Sequence, residues 1–170
     1  LTIFLFMYGL FYKNKFNNSE KEIYSYNLRV LGSNISIDRF YSNVNSVLVM
    51  EELIEMSNPN KNEKIIFIWP EGILPEISQK ELKEYNWLFK EKFNENHLLI
   101  IGINSEKLKN GSKEYFNSFS IYDHQLNLLN SYNKINLVPF GEFLPFEKIL
   151  SKIGLKSLTN NYQSFSNGEE

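Results

Sequence analysis

The chain of 170 residues has no cysteine, which excludes disulfides and thiolate metal sites and removes the strongest natural nucleophile for acyl transfer. Histidine is almost as scarce: His97 and His124 fall at a strand start and in a turn without ligand-like spacing, so both read as structural or solvated. Basic excess is also missing. Lys and Arg total 18 against 20 Asp and Glu, a net charge of −2 scattered along the chain, which leaves nothing to neutralise a phosphate backbone and argues against nucleic acid as partner. The apolar opening run, Leu1–Tyr12, falls short of the roughly 20 residues that a bilayer core requires, since as a helix it would rise only about 18 Å.

What is present is a sizeable apolar complement, 42% hydrophobic and 15% aromatic, enough for one domain with a real core. The opening run has two readings: a buried helix or strand, or the end of a transmembrane helix with Tyr8, Phe11 and Tyr12 at the interface and Lys13 and Lys15 just outside. A signal peptide fits poorly, because no small-residue cleavage site follows. Residues 13–27 are polar and read as a linker.

From Leu28 the chain alternates short apolar runs with helical periodicity. Leu28–Ile35 reads as a first strand and Ser36–Ser42 as a turn. A helix over Asn43–Met56 carries Val44, Val47, Leu48, Leu53 and Ile54 on its apolar face, and Asn58-Pro59 ends it. Ile65–Trp69 is continuously apolar, the pattern of a strand buried on both faces. Ser78-Gln79-Lys80-Glu81 is a capping box opening a helix to about Asn94, with Leu82, Tyr85, Phe89 and Phe93 on one stripe and Trp87 among the charges. His97–Ile103 repeats the buried-strand signature, so a parallel layer is expected. After a polar turn at Ser105–Lys113, strict alternation over Tyr115–Tyr122 and again over Leu126–Tyr132 predicts a hairpin, followed by the loop Asn136–Pro145, a short helix at Phe146–Lys152 and a polar tail with no closing element.

Two stretches carry chemistry. Glu71 follows a buried strand in Trp69-Pro70-Glu71-Gly72, at the carboxyl edge of the sheet where α/β folds bind ligands, and an apolar collar there would raise its pKa toward that of a general base. A Glu capping the next turn is the alternative. Lys134 ends a strand before the apolar loop Leu137–Phe146 and could present an ammonium to a developing oxyanion, or be an ordinary surface lysine. Glu142, between Gly141 and Phe143, could pair with that ammonium.

The stretches WPEG and YNKINLVPFGEFLPF together resemble the nitrilase-superfamily domain of the bacterial apolipoprotein N-acyltransferases. Pro-Glu after a strand is general to the superfamily, whereas Tyr132-x-Lys134 followed by Leu137-Val138-Pro139-Phe140-Gly141-Glu142 marks the acyltransferase branch. Leu28–Ile35 resembles that family's first strand, Gly102 its glycine after an apolar strand, and Asn117-Ser118 its Asn-Ser in the hairpin. Asn136 departs from the usual His.

The resemblance implies an α/β fold, a nitrilase-like α-β-β-α sandwich present in its N-terminal part (residues 28–170) and preceded by a membrane helix that ends at residues 1–12. It implies Glu71 as catalytic base, Lys134 as oxyanion-stabilising group and Glu142 as its support, with no cofactor and no metal. The nucleophilic cysteine is expected beyond the chain, since Ser164–Glu170 resembles the segment shortly before it. The implied partners are a phospholipid acyl donor, a diacylglyceryl lipoprotein acceptor and a membrane, with the domain on the periplasmic side of the inner membrane. Lys13 and Lys15 pull weakly the other way under the positive-inside rule. The rival readings are a soluble amidase of the same superfamily and a non-catalytic protein of that fold binding lipid or a partner.

Overall fold

A computed structural model describes residues 1–18, 24–32, 45–74, 76–109, 111–146 and 164–169. Helix α1 (Thr2–Asn17) runs past the expected boundary at Tyr12 and through Lys13 and Lys15, so the first part of the expected linker is helical. None of its side chains is buried, against the reading of a buried core segment. Among the described residues no helix is long and apolar enough to cross a membrane.

The domain is built on a five-stranded mixed sheet in the order β1-β2-β3-β4-β5. Strands β1 (Asn27–Val30), β2 (Ile65–Trp69) and β3 (His97–Lys109) are parallel, as the strand–helix alternation predicts, and β4 (Ser112–Asp123) and β5 (Leu128–Asn133) continue antiparallel. The first two crossovers carry helix α2 (Ser46–Ser57) and a 3-10 helix (Glu81–Tyr85) that runs into the short helix α3 (Asn86–Phe89). The expected turn at Ser36–Ser42 lies outside the described residues, as does the expected short helix at Phe146–Lys152 beyond its first residue.

Several local expectations are met atom by atom. Asn58 caps α2 with left-handed backbone (φ 40°) immediately before Pro59. In the capping box, the Ser78 N–H donates to Glu81 Oε2 at 2.8 Å and the Glu81 N–H to Ser78 Oγ at 3.4 Å. The continuous helix to Asn94 is corrected: Leu82, Phe89 and Phe93 are buried as expected, but Leu82 lies on the 3-10 helix, Phe89 ends the short α3 and Phe93 follows it outside any helix. On α2 the buried stripe is Val49, Met50, Leu53, Ile54 and Ser57; Leu48, expected on the apolar face, is exposed, because the helical period gathers Val49, Met50, Leu53 and Ile54 on one side and leaves Leu48 off it. The polar turn at Ser105–Lys113 is also corrected. Strand β3 continues to Lys109 and pairs with β4 up to Lys109↔Ser112, which leaves the turn between those two residues, where Gly111 has a φ of 80°.

Period-2 geometry sends alternate residues to opposite faces. Phe67, Trp69, Leu99, Ile101 and Tyr122 pack under α2 and the short helices in one apolar cluster. Trp69 Nε1–H donates to Ser57 Oγ, and His97 is buried in the same layer. The His97 ring lies with Nδ1 accepting from the Asn94 N–H and Nε2 3.0 Å from the Asn60 carbonyl, and burial lowers its pKa, as befits a structural residue. The other face carries Leu28, Val30, Ile66, Ile68, Ile100, Ile121 and Phe119, in register across the strands and only partly covered. The expectation that Ile65–Trp69 is buried on both faces holds for one face only, and the reason is that helices cover a single side among the described residues.

Candidate active site

Glu71, Lys134 and Glu142 come from three separate places in the chain and meet at the carboxyl edge of β2. Glu71 lies two residues past Trp69, on a turn whose backbone runs against β3. A Cβ at Gly102 would stand 2.6 Å from the Glu71 Cα, so the glycine is what lets that turn lie down on the strand. Lys134 follows the last residue of β5, and its N–H donates to the Asn117 carbonyl at 2.8 Å, which extends the ladder by one bond and fixes where the side chain departs. Glu142 sits in a turn that doubles back on Val138: its N–H donates to the Val138 carbonyl at 2.8 Å, and its Oε2 accepts from the Val138 N–H at 2.7 Å. Phe140 enters this turn with φ 62°, a strained conformation for an aromatic residue.

The side chains converge on one ammonium. Lys134 Nζ is 2.9 Å from Glu142 Oε1 and 3.8 Å from Glu71 Oε1. Asn117, projecting from β4, donates through Nδ2 to Oε1 of both carboxylates, at 2.5 Å each. The hydrogen bond from Lys134 to Glu142, aided by the Glu71 charge, raises the Lys134 pKa against a smaller desolvation effect. Glu142 is mostly buried, and burial alone would raise its pKa. Hydrogen bonds from Lys134, the Val138 N–H and Asn117 outweigh that effect and hold it below the ordinary carboxyl value.

Glu71 differs from its partner. Its side chain is 62% exposed against 12% for Glu142. The expected apolar collar is present in part: Trp69 and Pro70 border the cleft beside Glu71, but the Trp69 side chain is buried in the core cluster and the carboxylate is left largely exposed. The carboxylate borders an open cleft of about 320 Å³ lined by Ile68, Gly102, Phe119, Tyr132 and Lys134. The arrangement is a solvent-facing carboxylate beside an ammonium that is held charged, with a second, locked carboxylate behind it.

Sequence reasoning placed all three charged residues but gave Asn117 only a family likeness. Its signal was available in the alternation that puts it on the same face as Phe119 and Ile121, opposite Asn104 on β3. The polar tail had only a family likeness, and its contacts with the site were not expected. Ser164–Glu169 runs back over the site loop without regular secondary structure, bonded to Tyr115, Lys134, Ile135 and Glu142.

No family model matches the chain. It is 27% identical over 150 residues to the apolipoprotein N-acyltransferase of Rhodopseudomonas palustris, an alignment covering 83% of this chain and 28% of that protein. To the protein of the same name from Caulobacter vibrioides it is 34% identical over 109 residues, 61% of this chain and 21% of the relative. The chain thus spans about a quarter of the length of the curated relatives it matches. Among solved structures, an N-terminal amidase with an Asn-Glu-Ala peptide aligns at 17% identity with a TM-score of 0.41, covering 65% of this chain and 28% of that one. An amidase from Nesterenkonia sp. aligns at 12% identity and a TM-score of 0.38, covering 74% and 42%. At such scores the structural likeness carries no conclusion. The sequence likeness does, and it agrees with the motifs at Trp69–Gly72 and Tyr132–Phe146: over most of its length this chain is similar to the apolipoprotein N-acyltransferases, at 24–34% identity.

Proposed function

We propose that these residues form the base and oxyanion side of an apolipoprotein N-acyltransferase site, on the N-terminal part of a nitrilase-like sandwich, with the nucleophilic cysteine supplied from outside the 170 residues. The observation that carries this reading is the convergence of Glu71 and Glu142 on Lys134 Nζ, at 3.8 and 2.9 Å, from elements far apart in sequence. In the first half-reaction Glu71 accepts the thiol proton, and the thiolate attacks an ester carbonyl of a phospholipid. The tetrahedral oxyanion is stabilised by Lys134, and collapse expels the lysophospholipid alkoxide, which recovers the proton as the thioester forms. In the second, the α-amine of a lipoprotein's diacylglyceryl-cysteine attacks the thioester, Glu71, again a carboxylate, takes the proton that the amine loses as the amide forms, and passes it to the departing thiolate.

Each residue has a reason to be where it is. The exposed carboxylate of Glu71 can reach a nucleophile in the open cleft, whereas Glu142, locked by hydrogen bonds, keeps Lys134 charged and aimed. Both acyl-bearing substrates are lipids. The exposed apolar residues of the site loop, Val138, Phe140 and Phe146, together with the wholly exposed α1, support an approach from a membrane, with α1 as the end of a membrane helix and the domain on the periplasmic side of the inner membrane.

The test is acyl transfer from phospholipid to a diacylated lipopeptide by the protein that carries this segment together with a cysteine nucleophile. Glu71→Gln is expected to lower the rate by about 10²–10⁴-fold and Lys134→Ala by about 10²–10³-fold, both without loss of folding. Undiminished activity in either variant removes that residue from the mechanism. The 170-residue chain alone is expected to turn over nothing, since no thioester can form.

A further inference from the structure

We propose that Ser164–Glu169 is a positioning segment, a length of main chain that clamps the backbones of Lys134 and Glu142 to each other, and that Gly168 is the residue on which the clamp depends. The inference deepens the reading of Lys134 and Glu142 given above, but stands on contacts independent of any activity.

The segment forms no part of the sheet, and its residues are absent from the apolar core cluster. What it does is bond in succession to both sides of the site. The Phe165 N–H donates to the Glu142 carbonyl at 2.8 Å, the Ser166 N–H to the Tyr115 carbonyl at 2.7 Å, and the Gly168 N–H to the Lys134 carbonyl at 2.9 Å. Asn167 Nδ2 adds a bond to the Ile135 carbonyl at 2.8 Å, and the Leu144 N–H donates to Ser164 Oγ at 3.4 Å. The two charged residues that share the 2.9 Å ion pair are therefore joined twice, once through their side chains and once through a bridge running from the Glu142 carbonyl to the Lys134 carbonyl. Glu142 lies in a turn outside the strands, so this bridge ties the turn to β5.

Gly168 is required by close approach rather than by backbone conformation. A Cβ there would stand 2.1 Å from the carbonyl oxygen and 2.7 Å from the carbonyl carbon of Asn133, the residue immediately before Lys134. Real contacts of this kind start near 3.0 Å, so an alanine must push the Asn133 peptide, the segment, or both by close to an ångström. Asn133 is itself held, its Oδ1 accepting from Ser118 Oγ at 2.8 Å. The displacement is therefore expected to fall on the segment and on the Lys134 main chain, at the point where the ammonium's reach to Glu142 is set.

The test follows the Lys134 side chain by NMR titration of its ε-ammonium in the 170-residue chain. Gly168→Ala is expected to move the Lys134 midpoint down toward the ordinary lysine value of 10.5, while Lys113, paired with Glu106 elsewhere on the sheet, stays put. An unmoved Lys134 midpoint in a folded variant overturns the proposal. Should Gly168→Ala lose its dispersed amide spectrum, Asn167→Ala, which removes only the bond to Ile135, decides instead: a smaller downward shift supports the clamp and no shift overturns it. In the acyl-transfer assay, Gly168→Ala is expected to lower kcat by about 10²-fold with KM nearly unchanged, the cost of misplacing a catalytic group by about 1 Å. A shifted midpoint in a protein that transfers no acyl group leaves the clamp standing and removes only the functional reading.

Discussion

The two faces of the same sheet are built from alternating residues of the same strands, and they are finished to different degrees. On one face Phe67, Trp69 and Leu99 are fully buried under α2 and the short helices. On the other, their sequence neighbours Ile66, Ile68, Leu98 and Ile100 are only half-covered, and Leu28 and Val30 stand 66% and 71% exposed. Both faces are apolar, yet only one has its cover within the described residues, and the candidate site lies on the rim of the open one. A charged cluster at the edge of an uncovered apolar face is poorly shielded from water. Glu71 shows this, being 62% exposed, and only Glu142, enclosed by its own turn, is locked. Under the proposed reading the open face is where the second sheet of the nitrilase-like sandwich packs, and the exposure of Glu71 is a property of the half that is present.

Breaking the closed face should have the largest effect on stability. Phe67 is fully buried and packs edge-on against Phe93 and His97. Truncation to Ala is expected to cost about 3–5 kcal/mol, enough to unfold a marginal domain, and chemical denaturation would read it directly. A cost below about 1 kcal/mol would show that this face is less well packed than its burial indicates.

How much of this was legible in the sequence follows from which interactions are local. The parallel strands, the capping box and the helix stop at Asn58-Pro59 are each written within a few residues and could be read off. So could Glu71, Lys134 and Glu142, whose surrounding motifs carry a family likeness. The buried stripe on α2 was legible too, since the helical period gathers Val49, Met50, Leu53 and Ile54 on one side; only Leu48 was set on that face in error. The Ser105–Lys109 extension of β3 was hidden by its polar composition, although Asn110-Gly111 is a strong hairpin signal that points to the observed turn. Asn117 and Ser164–Glu169 were noted only through a family likeness, and their contacts escaped for another reason. An asparagine in a strand and a polar tail acquire meaning only from partners many residues away, and nothing in their own neighbourhood distinguishes them.

The locked carboxylate gives an intermediate effect. Glu142 titrates below its ordinary value of 4.5 in the folded chain, so its contribution to stability is complete above that value and is lost as pH falls through the depressed one. Lys134 acts in the opposite sense: its contribution is complete below 10.5 and is lost as pH rises through the raised value. Glu142→Gln is expected to cost roughly 1–3 kcal/mol near neutral pH, because it leaves Lys134 without its nearest partner, and to flatten the acid limb of the stability–pH curve. Denaturation midpoints measured from pH 3 to pH 7 would test this, and an acid limb unchanged by the substitution would place the depressed carboxyl elsewhere.

The smallest effect should come from the open face, and it is the sharpest test of the asymmetry. Val30→Thr keeps β-branching and shape and exchanges one methyl for a hydroxyl at a position 71% exposed. In the 170-residue chain this change is expected to alter stability by no more than about 0.5 kcal/mol. Under the proposed sandwich the same hydroxyl would be buried beneath the second sheet in the longer protein, unpartnered, at a cost of about 1–3 kcal/mol. A neutral result in both would show that this edge of the sheet stays open to solvent, and the cover proposed for the site's rim would then have to stop short of β1.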